Sequence, residues 1–474
     1  GGDVTKLSTL SSNPSRSVRI AAVLALRRLR SPEIKVFLND QDEYIVAEAA
    51  RAINDDLSIP EALPALAKLV EQTKFKSEPL LRRAINACLR VGDDASLNML
   101  IQMAQRKDLS PPIQAEAMAT IGSWASPSET DRVDGRYRGV VTRDASNVVT
   151  KVKPMLVNFI SSKEPAVMIS LAKLLGELKM TDQSSVLINM FKNDSVDVRI
   201  AALNALNQLK DPQLARVVDQ GMHDKHTRMR AAALGLLDKV ELSKESLTGI
   251  VNDFMKKGSP NEQQRLISAL GKLPSAKTEA VLSKLLDDMK AKKLPANIML
   301  DVTETIEKSD NNLLKEKLKA SQTYHNSMEE YASALQGGNI REGYRFFTEN
   351  LTAQCIKCHA LRGSGSNVGP DLTHIGSTLT REQILQAMVQ PSERLAPGYG
   401  VVSLTLKDGS EVFGKLDKET EKELTLITAN AEPLRIPVDR IATRKNIPSS
   451  MPDMTKKMTK HEMRDVVEFL AAMK

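Results

Sequence analysis

Residues 355–359 read Cys355-Ile356-Lys357-Cys358-His359. Two thiols three positions apart can each add to one vinyl group of a haem, and the adjacent histidine then lies under the iron as an axial ligand. That spacing is a c-type haem attachment site. The competing chemistry is zinc, which would need two further nitrogen or sulfur ligands. The remaining cysteine, Cys88, stands roughly 270 residues away within an apolar helical stretch and reads as a buried structural thiol. His223-Asp224-Lys225-His226 has metal-compatible spacing, but it falls in a turn without a third convergent ligand and reads as a solvated turn. Gly363, Gly365 and Gly369 let the chain after the motif pass close to a macrocycle without Cβ clashes. They are a poor phosphate cradle, because no strand precedes them and no helix start follows directly.

Residues 355–376, CIKCHALRGSGSNVGPDLTHIG, follow a short helical stretch at 341–349. The wider segment 340–474 resembles the haem-binding domain of large proteins from planctomycetes, verrucomicrobia and relatives. The phrases that carry the resemblance are VGPDLTHIG, QPSERLAPGY, LKDGSEVFGKL, the Ile441 strand, and SMPDM ahead of a terminal helix. In that family a small β module is inserted inside a class I-like cytochrome c. The resemblance implies one covalent haem c held by Cys355 and Cys358. It also implies that the Pro370 carbonyl, in a Gly369-Pro370-Asp371-Leu372 segment, accepts the ring N–H of the proximal His359.

The same resemblance makes Met451, in Met451-Pro452, the expected sixth ligand. Met454, Met458 and His461 are its rivals, and His374 stands too near the proximal side. A thioether ligand would raise the potential relative to bis-histidine ligation. Lys456, Lys457 and Lys460 are either a positive rim that steers an acidic redox partner or a solvated helix start. Residues 340–474 hold 19 Lys+Arg and 17 Asp+Glu, so any steering would be local.

With both axial positions filled, the expected function is outer-sphere electron transfer with a redox protein partner, a dehydrogenase or another cytochrome. A haem-based ligand sensor, and a scaffold with a merely stabilising haem, stay open. Covalent haem is attached after export, so a periplasmic or cell-surface location is expected. Longer members of the family carry a β-propeller resembling sorbosone-type sugar dehydrogenases ahead of their repeats. Its blade-like period is missing from 1–309, so catalysis is not expected of this chain alone.

What positions this motif is a long repetitive stretch. Val18-Arg19-Ile20-Ala21-Ala22 returns as Val198-Arg199-Ile200-Ala201-Ala202, and more loosely as Met229-Arg230-Ala231-Ala232-Ala233. Arg199 and Arg230 are 31 residues apart, a helix-turn-helix period. Weaker copies occupy 45–53, 80–89, 113–121 and 266–273. Each copy has apolar residues at i, i+3, i+4 and i+7, and partner helices are expected at 62–70, 97–104, 186–191 and 281–289. The period and the Asp-x-x-Val-Arg start resemble HEAT repeats, and about nine pairs fit.

The expected architecture is mainly α: a HEAT-like α-solenoid over 1–309, a charged helical linker over 310–339, and a cytochrome c domain over 340–474. Period-2 alternation from 399 to 444 marks its β insertion, 399–448. The charged stretch 126–146 interrupts the repeats after Trp124 and reads as a solvated loop or as a docking loop for a neighbouring domain.

Composition agrees. Aromatics are 3% of 474 residues, which suits Ala- and Leu-packed helices. Three cysteines exclude a disulfide scaffold. A net charge of +7 is too weak and too interleaved a footprint for nucleic acid. No apolar run reaches the ~18–20 residues of a membrane span. The start at Gly1-Gly2-Asp3, without a methionine, is expected of a mature or trimmed chain.

Overall fold

The computed structural model describes residues 3–55, 59–428 and 432–474. It divides into two compact units, 1–241 and 242–474.

The first unit is built from helix pairs. Glu43–Asn54, Glu78–Val91, Pro111–Gly122, Pro165–Glu177, Val196–Leu209 and Thr227–Leu234 pack one against the next in a single layer. Leu63–Ala67, Asp94–Ala104, Ser184–Met190 and Leu214–Met222 form a second layer against them. Alanines at the facing positions, such as Ala49, Ala84, Ala117, Ala172 and Ala202, are buried, so the helices approach closely without large side chains. Asp42 and Asp93 start two of the helices by accepting hydrogen bonds from the amides of Tyr44 and Ser96.

The recurring arginine has a physical reason. Arg199 donates to the carbonyls of Asn193 and Asp194, 2.7 and 2.9 Å away in the turn before its helix. Its other nitrogens reach the carboxylate of Asp224 in the next turn at 3.0 and 2.9 Å. Arg19 repeats the pattern on Asn13, Pro14 and Asp40, and Arg230 holds the carbonyls of Asp224 and Lys225. The Val-Arg step therefore places one apolar residue in the core and one cation that ties consecutive turns together.

The charged stretch after Trp124 is irregular and mostly exposed, but it is pinned at a few points. Arg143 lies 5.2 Å over the Trp124 ring and donates to the carbonyls of Trp124 (2.7 Å) and Leu89 (2.6 Å). Buried Asp131 accepts from Asn86 at 2.9 Å and Arg138 at 3.2 Å, and Arg138 also reaches the Asn54 carbonyl at 3.0 Å. Arg138 and Arg143 thus satisfy helix-end carbonyls, while Tyr137, Val140 and most of the stretch stay exposed.

The second unit starts with Lys244–Lys257, Pro260–Leu270, Ser275–Lys290 and Met299–Lys308. Beyond these, where the sequence leads one to expect a charged helical linker over 310–339, the structure has two helices, Asn312–Ser321 and Ser327–Tyr331. The break comes where Gln322 leaves the helical region and the Asn326 side chain accepts from the Glu329 amide, starting a new helix. Three helices then surround one core: Ile340–Glu349, Arg381–Val389 and Lys460–Ala471. Phe347, Leu372, Leu385, Met454, Met458, Met463, Val467 and Phe469 fill it.

Between the last two helices stands a five-stranded antiparallel sheet. Its strands are β1 (Val401–Leu406), β2 (Glu411–Glu419), β3 (Glu423–Ile427), β4 (Pro433–Pro437) and β5 (Ile441–Asn446), in the order β4-β3-β2-β1-β5. Residues 429–431 of the expected insertion lie outside the described residues. The sheet has its own core of Val402, Leu404, Leu406, Leu416, Leu424, Leu426 and Ile436. Because β5 pairs with β1, the insertion's two ends lie side by side: Val402 faces Asn446, and the Ile447 amide donates to the Val401 carbonyl at 2.9 Å.

Candidate functional site

The Cys355–His359 motif follows Ile340–Glu349, whose chain is turned by Asn350 accepting from the amides of Thr352 and Ala353. Cys355–Lys357 forms a single tight turn, and the amides of Cys358 and His359 both donate to the Cys355 carbonyl, at 3.1 and 2.9 Å. That turn keeps both sulfurs and the imidazole on one short stretch of backbone. Both thiols are free; Cys355 is half-buried and Cys358 exposed. Burial pushes the Cys355 thiol up to about 11.

A two-residue hairpin, Ala360–Leu361 with Ser364–Gly365, returns the chain to the histidine. The Gly369 amide donates to the Cys358 carbonyl at 2.6 Å, and the Leu372 amide to the Ala360 carbonyl at 2.9 Å. The Pro370 carbonyl then sits 2.8 Å from Nδ1 of His359. A carbonyl only accepts, so the bond assigns the proton to Nδ1 and leaves the Nε2 lone pair free. Burial holds the imidazole below its usual range, against the opposing pull of the Pro370 bond, which favours the neutral, ligating form. Gly369 is needed at its position, since a Cβ there would stand 2.8 Å from the His359 ring.

The chemistry of this donor set fits a haem c. The residues that would hold the group are two free thiols, a neutral imidazole with a free Nε2, and a thioether packed against the same core. Met451 is half-buried and joins Cys355 and Ile356 on the apolar cluster described above. Its amide donates to Oγ of Ser449 at 3.1 Å. Met454 and Met458 are enclosed in that core at 3% and 6% exposure.

His461 points elsewhere. Its Nδ1 is 3.4 Å from Glu304, whose hydrogen bond raises the imidazole pKa against the opposing effects of burial and Arg464. His374 is exposed and lines an open cavity of about 420 Å³ with Arg362, Asp371 and Ile375. Lys456 and Lys457 are exposed, whereas Lys460 is 3.6 Å from Glu330 and lies over the rings of Tyr331 and Tyr324.

Elsewhere, Asp224 of the His223–His226 turn is engaged by Arg199, and His223 Nδ1 contacts the Asp219 carbonyl at 2.9 Å. Among the described residues, no group of three or more His, Cys, Asp or Glu is placed to hold a metal ion. Cys88 is fully buried, and its thiol is pushed up to about 12 by burial. Among the described residues no helix is long and apolar enough to cross a membrane. Sequence reasoning missed the linking role of Ser392, Asn446 and Ser449, which join the two ends of the β insertion to the Met451 segment; Ser392 lies in the QPSERLAPGY phrase, but neither that phrase nor any period signals these contacts.

Comparison with known proteins bears on the repeats. The HEAT-repeat family matches residues 150–242. No curated protein matches the sequence. Among solved structures, the chain is similar to YibA of Escherichia coli, with 17% identity, 62% of this chain and 97% of that chain covered, and a TM-score of 0.39. It is similar to the CpcE–CpcF complex of phycocyanin lyase from Nostoc sp., with 15% identity, coverage of 57% and 88%, and a TM-score of 0.27. A homology model of the AP-3 complex gives 11% identity, coverage of 82% and 75%, and a TM-score of 0.44. The protein is thus mainly helical, with HEAT repeats and a small antiparallel sheet near its C-terminal end.

Proposed function

We propose that this protein is an electron-transfer component: Cys355 and Cys358 would anchor one haem c within residues 340–474, His359 and Met451 would ligate its iron, and the repeats would serve as a docking scaffold for a redox partner. The observation that carries this reading is the 2.8 Å bond from His359 Nδ1 to the Pro370 carbonyl. It orients the imidazole beside two free thiols, the donor set a covalently held haem requires. When bound, the haem supplies one-electron exchange.

The chain's own residues hold and enclose it. Cys355 and Cys358 anchor, Pro370 fixes the tautomer and raises the basicity of His359, and Gly369 lets the backbone lie against the ring. The apolar cluster behind Cys355 and Met451 limits water at the site, which tunes potential. Covalent haem is attached after export, so this reading carries with it a periplasmic or cell-surface location. Its electron donor is a quinone-dependent dehydrogenase or another cytochrome.

Spectroscopy on the oxidised, haem-loaded protein tests the assignment. A Met–iron charge-transfer band is expected, and Met451→Ala is expected to abolish it while Met454→Leu leaves it intact. Ready CO binding by the unmutated reduced protein would instead favour a ligand-binding module with a labile sixth position.

A further inference from the structure

Met451 lies on the irregular segment 447–453, held by neither a helix nor a strand. Downstream, this segment runs into the Met454–Lys456 turn, where Asp453 accepts from the Thr455 amide at 2.9 Å. Upstream it hangs from the β insertion, whose apolar core is separate from the one that Cys355 and Met451 pack against. Something must therefore fix the insertion relative to the attachment half of the site.

A short chain of hydrogen bonds does this. Nδ2 of Asn446, the last residue of β5, donates to the carbonyls of Ser392 and Glu393, both at 3.0 Å. The Ser449 amide donates to Ser392 Oγ at 3.0 Å, and Ser449 Oγ accepts from the Met451 amide at 3.1 Å. Ser392 stands just beyond the helix Arg381–Val389, whose Leu385, Met388 and Val389 belong to the core behind Cys355. Because β1 and β5 already hold the insertion's two ends together, the sheet moves as one body. One anchor at its base then sets the position of everything that leaves it.

We propose that Ser392, Asn446 and Ser449 are positioning residues for Met451, tying the attachment half of the site to its sixth ligand through the base of the β insertion. The proposal rests on the reading of Met451 as that ligand. Loosening the junction leaves the two thiols, His359 and Pro370 untouched. It lets the thioether depart more often, so an external ligand competes for the position more successfully.

Imidazole binding to the oxidised, haem-loaded full chain reads this directly. Asn446→Ala and Ser449→Ala are each expected to bind imidazole about 10-fold more tightly than the unmutated protein, equivalent to about 1.4 kcal/mol. Ser449→Thr, which keeps the hydroxyl, is expected to behave like the unmutated protein. So is Arg440→Ala, which removes the exposed 2.8 Å pair with Asp408 inside the insertion but not the junction. A purely structural role would lower unfolding midpoints without separating these variants by imidazole affinity.

Met451→Ala is measured alongside. If it loses the charge-transfer band and binds imidazole tightly while both junction variants match the unmutated protein, the positioning proposal is overturned and the ligand assignment stands. If Met451→Ala changes neither readout, the ligand assignment fails and the junction proposal falls with it.

Discussion

Replacing Asp301 by alanine is expected to destabilise the 242–474 unit by about 3–5 kcal/mol, the usual cost of stranding one partner of a buried ion pair. Asp301 accepts from Arg464 at 2.6 and 3.3 Å. The Arg464 side chain is only 3% exposed, and its Nε already lacks a hydrogen-bond partner among the described residues. Without Asp301, the buried guanidinium keeps, among the described residues, only 3.5 Å approaches to the His461 ring and the more distant charge of Asp465. For a unit of this size the loss corresponds to roughly 6–20 °C in Tm.

Calorimetry on the full chain checks it, with Glu342→Ala as the comparison. Glu342 pairs with Arg345 across exposed side chains, and such pairs contribute only about 0.2–1 kcal/mol. Equal shifts for the two variants would contradict the account. The Asp301→Leu/Arg464→Met double variant is expected to recover much of the loss, because removing both charges removes the stranded one.

The second large effect is expected from Gly343→Ala. Gly343 lies where Ile340–Glu349 crosses the terminal helix, and a Cβ there would stand 2.0 Å from the Asp465 carbonyl oxygen and 2.8 Å from Phe469 Cβ. The obstacle is backbone, so the helices must separate. That would open the Tyr344–Phe469 and Phe347–Phe469 ring contacts, at 5.6 and 5.9 Å between centroids.

Overpacking costs about 1–3 kcal/mol or more, which exceeds the ~0.5–1 kcal/mol that alanine gains over glycine within a helix. Gly249, inside Lys244–Lys257, has nothing within 4 Å of its would-be Cβ. Gly249→Ala is therefore expected to raise the thermal midpoint while Gly343→Ala lowers it. Stabilisation by both would refute the packing argument.

Much of this was legible in the sequence wherever a short period or a fixed spacing carries the information. The recurring Val-Arg-Ile-Ala-Ala phrase located the helix pairs, since burial on one helical face forces apolar residues to recur at three and four. The alternation after Tyr399 located the strands for the same reason, with a period of two. The Cys-x-x-Cys-His spacing drew attention to the turn at 355–359, and the resemblance, through the Gly369-Pro370 pair, to the carbonyl that meets His359 Nδ1.

What stayed hidden depends on contacts between distant residues or on competition between local preferences. The Arg199–Asp224 tie needs the fold before its second partner appears. Arg143 and Arg138 read as solvated charges, because the helix-end carbonyls they satisfy lie 50 or more residues away in sequence. Asn326 ended a helical run that charge composition alone would have continued. The Ser392–Asn446–Ser449 junction has no periodic signature, since it exists only once β5 pairs with β1. Nor did charge patterning reveal that Arg464 is buried against Asp301.

The central claim, that this chain carries a covalently held haem, is tested most directly by producing it with export in a host that matures c-type cytochromes, followed by a denaturing gel with haem stain and an intact mass. The account predicts one haem retained per chain after denaturation, and none in the Cys355→Ser/Cys358→Ser variant. A folded, exported chain whose mass equals that of the polypeptide alone, with no stain, would contradict it.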